Sequence, residues 1–239
     1  TNDIAGTVFQ TSGTAPYEYL AVVAANVAGG KSDAFVTQHI KLSSKIDAIG
    51  RIDNYLTIER SHAGENEKDW WYRAKNHNYL KVFTPRGSTL LYATGGDAET
   101  VTPVRDYRRG SYITDPELAA IEATRVATDF RGLSASEEYE KTVFGTWMSV
   151  KAGEMRKLEL QYESPNRLAL GNGGSRYTFV FDRQSGAQTS LDVLIQAPEG
   201  YRWLEGDGPV FNYVSEDPPR RVNIDLTLVR DQAEYQSSL

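Results

Sequence analysis

The sequence predicts a mainly β protein: an elaborated antiparallel β-sandwich, immunoglobulin-like or jelly-roll-like, with one or two short helices. Apolar and polar residues alternate with a period of two along many short runs, which is typical of strands that bury one face. Glycine or proline separates these runs and gives about a dozen strands at the spacing found in sandwiches. Helical patterns are few, and no segment repeats at a fixed period.

The clearest strand pair surrounds residues 47–50, with the sequence DAIG. Residues 34–46 precede this turn and residues 51–60 follow it. In both runs most apolar residues occupy positions of one parity, and the positions between them are mainly polar. Alternation on both sides of a four-residue turn is the pattern of a β-hairpin. We therefore expect two adjacent antiparallel strands here.

Residues 16–28 are open to two interpretations. Proline at position 16, followed by several alanines, suits the start of a helix. A short strand fits nearly as well, because Val22 and Val23 are compatible with both. A stronger helical signal comes later, where Asp115 can cap a helix that begins with Pro116.

The other predicted strands follow from short alternating runs bounded by turn residues. They are residues 78–85, 88–95, 141–150, 154–165, 176–186, 189–198, 201–206, 209–214 and 220–230. For the domain organisation we expect a flexible leader over 1–15, one elaborated sandwich over 16–230 and a frayed tail over 231–239. The best candidate for an internal boundary is 164–176.

Composition excludes several classes of function. The formal net charge is -6 and the sequence pI is about 5.2, so the chain lacks the basic field of a nucleic-acid-binding protein. The absence of cysteine removes thiol nucleophiles, thiolate metal sites and disulfides. We expect no nucleic-acid partner and no cofactor.

Catalytic and metal-binding motifs are missing as well. There is no phosphate-binding loop, HExxH, GxGxxG or complete GxSxG sequence. His62 and His77 flank an aromatic segment, but a zinc site needs further ligands. Dispersed carboxylates leave a hydrolase as the weakest alternative. Residues 205–209 could hold calcium through oxygen ligands, but a plain turn is favoured. Lys41 and Asn223 could form an isopeptide crosslink, but their parity favours surface positions.

The aromatic segment is the best candidate for recognition. It can bind a ligand, because aromatic faces stack on sugars and attract cations. It can equally cap the open end of the sandwich by packing, and we favour packing. If the two tryptophans lie in a strand, one points to the core and the other outward. The candidate residues are Trp70, Trp71, Tyr72, Arg73, His77 and Tyr79.

Four ordered blocks carry a resemblance to a known family. They are residues 19–40, 70–95, 141–165 and a last block formed by 197–203 and 211–229. Together they resemble the C-terminal portion of the bacterial family catalogued as domain of unknown function 4012. The resemblance covers residues from about Tyr17 to Val229.

The resemblance implies a setting and transfers no catalytic residue. Members of the family look like large bacterial polypeptides with an N-terminal transmembrane helix and an extracytoplasmic body, so the anchor would lie upstream of this chain. We expect a non-enzymatic domain with a structural or adhesive role at the cell surface. The alternative is a module that binds carbohydrate or a cell-envelope polymer through Trp70–Arg73. The expected partners are an envelope glycan or another surface protein.

Overall fold

The computed structural model describes residues 17–27, 30–99, 113–171, 174–206 and 208–231. These residues form fourteen strands, two α-helices and one 3₁₀ turn, Ser32–Phe35. The helices are α1 (Trp70–Arg73) and α2 (Pro116–Thr124). The strands are β1 (Glu18–Asn26), β2 (Val36–Ile46), β3 (Arg51–His62), β4 (Asn76–Pro85), β5 (Thr89–Thr94), β6 (Val126–Ala127), β7 (Leu133–Glu138), β8 (Lys141–Val150), β9 (Met155–Arg167), β10 (Ser175–Arg183), β11 (Gln188–Gln196), β12 (Tyr201–Trp203), β13 (Val210–Ser215) and β14 (Arg221–Arg230).

The strands form two sheets that enclose the main core. The eight-stranded sheet has the order β12-β14-β10-β1-β4-β8-β7-β6, and the six-stranded sheet has the order β13-β11-β2-β3-β9-β5. The prediction of a mainly β sandwich is confirmed, but its sheets are mixed and not purely antiparallel. Each sheet contains one parallel pair, β1 with β10 and β2 with β11, in which a later strand lies beside the first strand of its sheet.

The predicted hairpin is confirmed as β2 and β3. Their register runs from Val36 opposite His62 to Ile46 opposite Ile52, and residues inside β2 are buried at every second position. In the turn, Asp47 Oδ1 accepts hydrogen bonds from the backbone N–H groups of Ile49 and Arg51, both at 2.9 Å. The turn and the alternation therefore specify the same register.

Residues 18–26 form a strand, so the helical interpretation of this segment is wrong. Strand β1 lies inside the sheet between β10 and β4 and is buried on both faces over its first five residues. A strand with two buried faces shows no alternation, which explains the ambiguity of the sequence. The residues of its outer face belong to a second buried apolar cluster, formed by Tyr19, Ala21, Phe83, Val143 and Val180.

Helix α2 begins as the sequence predicts. Asp115 Oδ1 accepts hydrogen bonds from the N–H groups of Glu117 and Leu118, at 2.9 and 3.1 Å. Helix α1 lies in the aromatic segment, where the sequence shows no helical pattern. Within the described residues, no helix combines the length and the apolar character that crossing a bilayer requires.

The predicted domain limits remain predictions. The segment 164–176 begins within the end of β9 and ends within the start of β10, and the later strands belong to both sheets. The predicted leader lies outside the described residues, as does the predicted tail beyond Asp231.

Candidate functional site

The structure separates the six candidate residues into two groups. Trp70–Arg73 form α1, a single helical turn at the end of the sandwich where β3 ends and β4 begins. We call these four residues the aromatic turn. His77 and Tyr79 lie further along, in β4. The two groups have different surroundings.

The aromatic turn is held by the 3₁₀ turn that precedes β2. The rings of Phe35 and Tyr72 meet edge-on, with centroids 5.1 Å apart. The backbone N–H of Lys31 donates a hydrogen bond to the carbonyl oxygen of Trp71 at 3.0 Å. Gly30, with φ of 63°, lets the two segments approach, because a Cβ there would lie 2.7 Å from the Trp71 oxygen.

His62 fixes the two ends of the loop that carries the aromatic turn. Its Nδ1 accepts a hydrogen bond from the N–H of Gly64 at 3.1 Å, and its Nε2 donates to the carbonyl oxygen of Ala74 at 3.0 Å. These contacts assign the neutral tautomer with the proton on Nε2. Both ring nitrogens are therefore engaged by backbone, and His62 acts here as a structural residue.

None of the four side chains of the aromatic turn is buried. Trp70 is 66% exposed, Trp71 and Tyr72 are half-buried, and Arg73 is exposed. The rings of Trp70 and Trp71 contact edge-to-face with centroids 5.9 Å apart. The expectation that one tryptophan enters the core is wrong, because the pair lies in a helical turn outside the sandwich and not in a strand.

His77 and Tyr79 pack on the outer face of the eight-stranded sheet. The imidazole of His77 stacks on Trp147 of β8 at a centroid distance of 4.6 Å and an interplanar angle of 11°, and Tyr79 meets the same indole edge-on at 5.0 Å. His77 Nδ1 also lies 2.9 Å from Ser149 Oγ. These two residues belong to a packed cross-strand cluster and are separate from the aromatic turn.

A buried carboxyl group lies at the opposite end of the sandwich. Glu18 is only 3% exposed and accepts hydrogen bonds from Ser164 Oγ at 2.6 Å and from Asn166 Nδ2 at 2.8 Å. Burial raises the pKa of Glu18 above its ordinary value, and the hydrogen bonds from Ser164, Asn166 and Asn54 partly oppose this. The group joins β1 of one sheet to β3 and β9 of the other.

Glu18 and Tyr177 line a cavity of about 220 Å³ together with residues of the β9–β10 connection. The hydroxyl of Tyr177 is buried and makes no hydrogen bond of ordinary geometry. Burial raises the pKa of Tyr177, and the charge of Glu18 adds to this. Among the described residues, the polar groups bonded to Glu18 are uncharged amides or hydroxyls, so the cluster is suited to linking the two sheets.

The described residues proposed for a metal site or a crosslink lie in ordinary surface or hydrogen-bonded surroundings. Among the described residues, no three His, Asp or Glu side chains converge as a metal site. Lys41 and Asn223 are exposed, as predicted, and Lys41 Nζ pairs with Glu59 at 3.3 Å. Glu205 Oε2 accepts a hydrogen bond from the N–H of Thr227 at 2.7 Å, while residue 207 lies outside the described part of the chain.

Comparison with protein-family models found no match, and comparison with curated proteins found none. Among solved structures, a candidate nutrient-binding protein of Legionella pneumophila is 7% identical with a TM-score of 0.43, over 89% of this chain and 71% of that protein. An M1 zinc metallopeptidase of Deinococcus radiodurans is 12% identical with a TM-score of 0.31, over 81% of this chain and 42% of the peptidase. Neither likeness is close enough to bear on function.

Proposed function

We propose that this chain is a non-enzymatic adhesive domain of a bacterial surface protein, and that its aromatic turn binds a sugar unit of a cell-envelope glycan. The observation that carries the proposal is the 66% exposure of Trp70 on a backbone that is fixed by neighbouring segments. Tryptophan side chains usually bury a large apolar area, so an exposed indole outside the core is unusual.

The aromatic turn is supported like a binding site that does not need to reorganise. The backbone of Trp71 accepts a hydrogen bond from Lys31, and the ring of Tyr72 packs on Phe35. His62 fixes the loop through its hydrogen bond to the backbone. Ordering a loop on binding costs free energy, and a site that is already ordered avoids this cost. Binding residues on loops above a rigid scaffold are a common arrangement.

The chemistry of the turn favours a sugar. The face of an indole is apolar and can cover the C–H face of a pyranose ring, while Arg73 beside it can donate hydrogen bonds to hydroxyl or carboxylate oxygens. Arg73 is exposed, so its guanidinium is available to a ligand that approaches Trp70.

The cellular setting is taken from the resemblance of the four sequence blocks. It supports an extracytoplasmic domain of a polypeptide that is anchored by an N-terminal transmembrane helix upstream of this chain. An antibody raised against residues 17–231 is expected to label intact cells. Labelling that needs permeabilised cells would contradict this part of the proposal.

The binding proposal is tested with purified cell-wall glycan strands, free of peptide, coupled to a resin. Trp70→Ala is expected to weaken retention about tenfold or more, as the loss of an aromatic anchor does, with an unchanged melting temperature. Tyr55→Ala removes another exposed aromatic side chain, on β3, and is the matched control that keeps retention. Equal retention of Trp70→Ala and the unmodified protein, or unfolding of the variant, would overturn the proposal.

A further inference from the structure

A second cavity, of about 230 Å³, lies at the same end of the sandwich as the aromatic turn. Its walls come from the end of β1, the 3₁₀ turn, the facing ends of β2 and β3, and the β10–β11 connection. The residues that matter for its chemistry are Asp33, Gln38, Arg60, Gln184 and Ala187.

Arg60 supplies a buried positive charge to this cavity. The residue is 4% exposed. Its Nη1 donates to Gln38 Oε1 at 2.8 Å and its Nη2 to Asn76 Oδ1 at 3.3 Å, while Nε has no partner in the part of the chain that the structure describes. Both partners are neutral amides, and among the described residues no carboxylate forms an ion pair with Arg60. Burial lowers the pKa of Arg60 to about 10, with Asp33 acting in the opposite direction.

Arg60 has hydrogen-bonding capacity that its partners leave unused. A buried cation that no carboxylate contacts directly is costly, and a guanidinium offers five N–H donors, of which two bond to described residues. A carboxylate is the planar acceptor that matches the remaining donors. Arg60 therefore provides the positive charge and the hydrogen-bond donors that a carboxylate-binding site needs.

Asp33 adds a negative charge to the same wall. It is exposed, and its Oδ1 accepts a hydrogen bond from Asn76 Nδ2 at 2.8 Å. Asn76 thus stands between Asp33 and Arg60 and keeps the two charges apart. A dianion such as phosphate would be repelled by Asp33, whereas an ammonium group would be attracted.

The cavity is small and its wall is fixed. The side-chain amide of Gln184 accepts from the N–H of Ala24 at 2.8 Å and donates to the carbonyl oxygen of the same residue at 2.9 Å. A volume of about 230 Å³ lies below the usual range of pockets for drug-sized ligands. It suits a ligand with few non-hydrogen atoms.

We propose that this cavity binds a small zwitterion with an adjacent carboxylate and ammonium group, such as a free α-amino acid, with the carboxylate on Arg60 and the ammonium group toward Asp33. This site is distinct from the aromatic turn, and its ligand is recognised by charge. The proposal does not depend on glycan binding.

The test is calorimetric titration of the protein with alanine, acetate, methylamine and inorganic phosphate. Alanine is expected to bind, acetate to bind more weakly, and methylamine and phosphate to give no heat of binding. Arg60→Met is expected to lose at least about tenfold in affinity for alanine, the loss typical of a hydrogen bond to a charged group. Arg167→Met is the matched control, because Arg167 lines the cavity at the other end of the sandwich.

Since Arg60→Met can fail to fold, Ala187→Phe gives a second route. It fills the cavity from its wall and leaves Arg60 unchanged, and it is expected to abolish alanine binding. The proposal is overturned if the unmodified protein does not bind alanine, if phosphate binds as well as alanine, or if Ala187→Phe or folded Arg60→Met binds alanine normally. Free amino acids are absent from the glycan experiment, so the two proposals fail separately.

Discussion

The ring of Phe35 meets the ring of Tyr72 edge-on at 5.1 Å, and this contact joins the 3₁₀ turn before β2 to the aromatic turn before β4. The two segments are far apart in the chain but form one structural unit at the end of the sandwich. One wall of the Arg60 cavity belongs to the same 3₁₀ turn through Asp33. The unit therefore supports both proposed binding sites.

Phe35→Ala tests whether this contact positions the aromatic turn. We expect a loss of about 1 kcal/mol in the free energy of unfolding from the aromatic pair, measured by urea denaturation, and weaker retention on glycan. Phe130→Ala removes a comparable edge-on pair with Tyr92 and should lower stability without affecting retention. Equal retention of the two variants would show that Phe35 does not position the turn.

Gly64→Ala tests the close approach of the loop to His62. A Cβ at this position would lie 2.6 Å from both His62 Cε1 and the Tyr72 carbonyl oxygen, so we expect a loss of about 1 to 3 kcal/mol from overpacking. The control is Gly171→Ala, where a Cβ meets nothing within 4 Å. Similar melting temperatures for the two variants would contradict the described packing.

Glu18→Gln tests the pH dependence of the buried cluster. Burial raises the pKa of Glu18 above 4.5, so the folded protein holds this proton more tightly than the unfolded chain does. Its contribution to stability is complete below pH 4.5 and is lost as the pH rises through the raised pKa. We expect the unmodified protein to lose stability relative to Glu18→Gln over this range in urea denaturation. Parallel pH profiles of the two proteins would contradict the assignment.

Tyr177→Phe should cost less stability than Tyr19→Phe. The Tyr177 hydroxyl is buried, and its contact with Ser44 falls short of ordinary hydrogen-bond geometry, so its removal is expected to change stability by less than about 1 kcal/mol. The Tyr19 hydroxyl donates to Asp182 Oδ2 at 2.9 Å, so its removal should destabilise by about 1 to 2 kcal/mol. Thermal unfolding of the two variants checks this, and a Tyr177→Phe variant destabilised as much as Tyr19→Phe would contradict the account.

The parts of the fold that could be predicted are those with local signals. The hairpin of β2 and β3 is specified by alternation and by Asp47 in its turn, and α2 is specified by Asp115. Strand β7, with the sequence LSASEE, was missed because it has almost no apolar residue to show a period. The aromatic turn was missed because its conformation depends on contacts with Gly30 and Phe35.

The candidate sites were predicted less well, although one signal was present. In β3, Arg60 follows Ile58 at the parity of the core, and a charged residue at such a position marks a buried functional or structural group. The identity of its neighbours, such as Gln38 and Asn76, follows only from the packing of different strands. For the aromatic segment, the sequence could not separate Trp70 from Trp71, because their exposure depends on the helical turn.

The most direct test of the central claim is protection of Trp70 from oxidation by bound glycan, measured by mass spectrometry after hydroxyl-radical treatment. Trp70 is 66% exposed, whereas Trp203 is fully buried and serves as the internal reference. Binding through the aromatic turn predicts that cell-wall glycan strands slow the oxidation of Trp70 several-fold, while the exposed Tyr55 reacts at an unchanged rate. Oxidation of Trp70 at the same rate with and without saturating glycan would contradict the account.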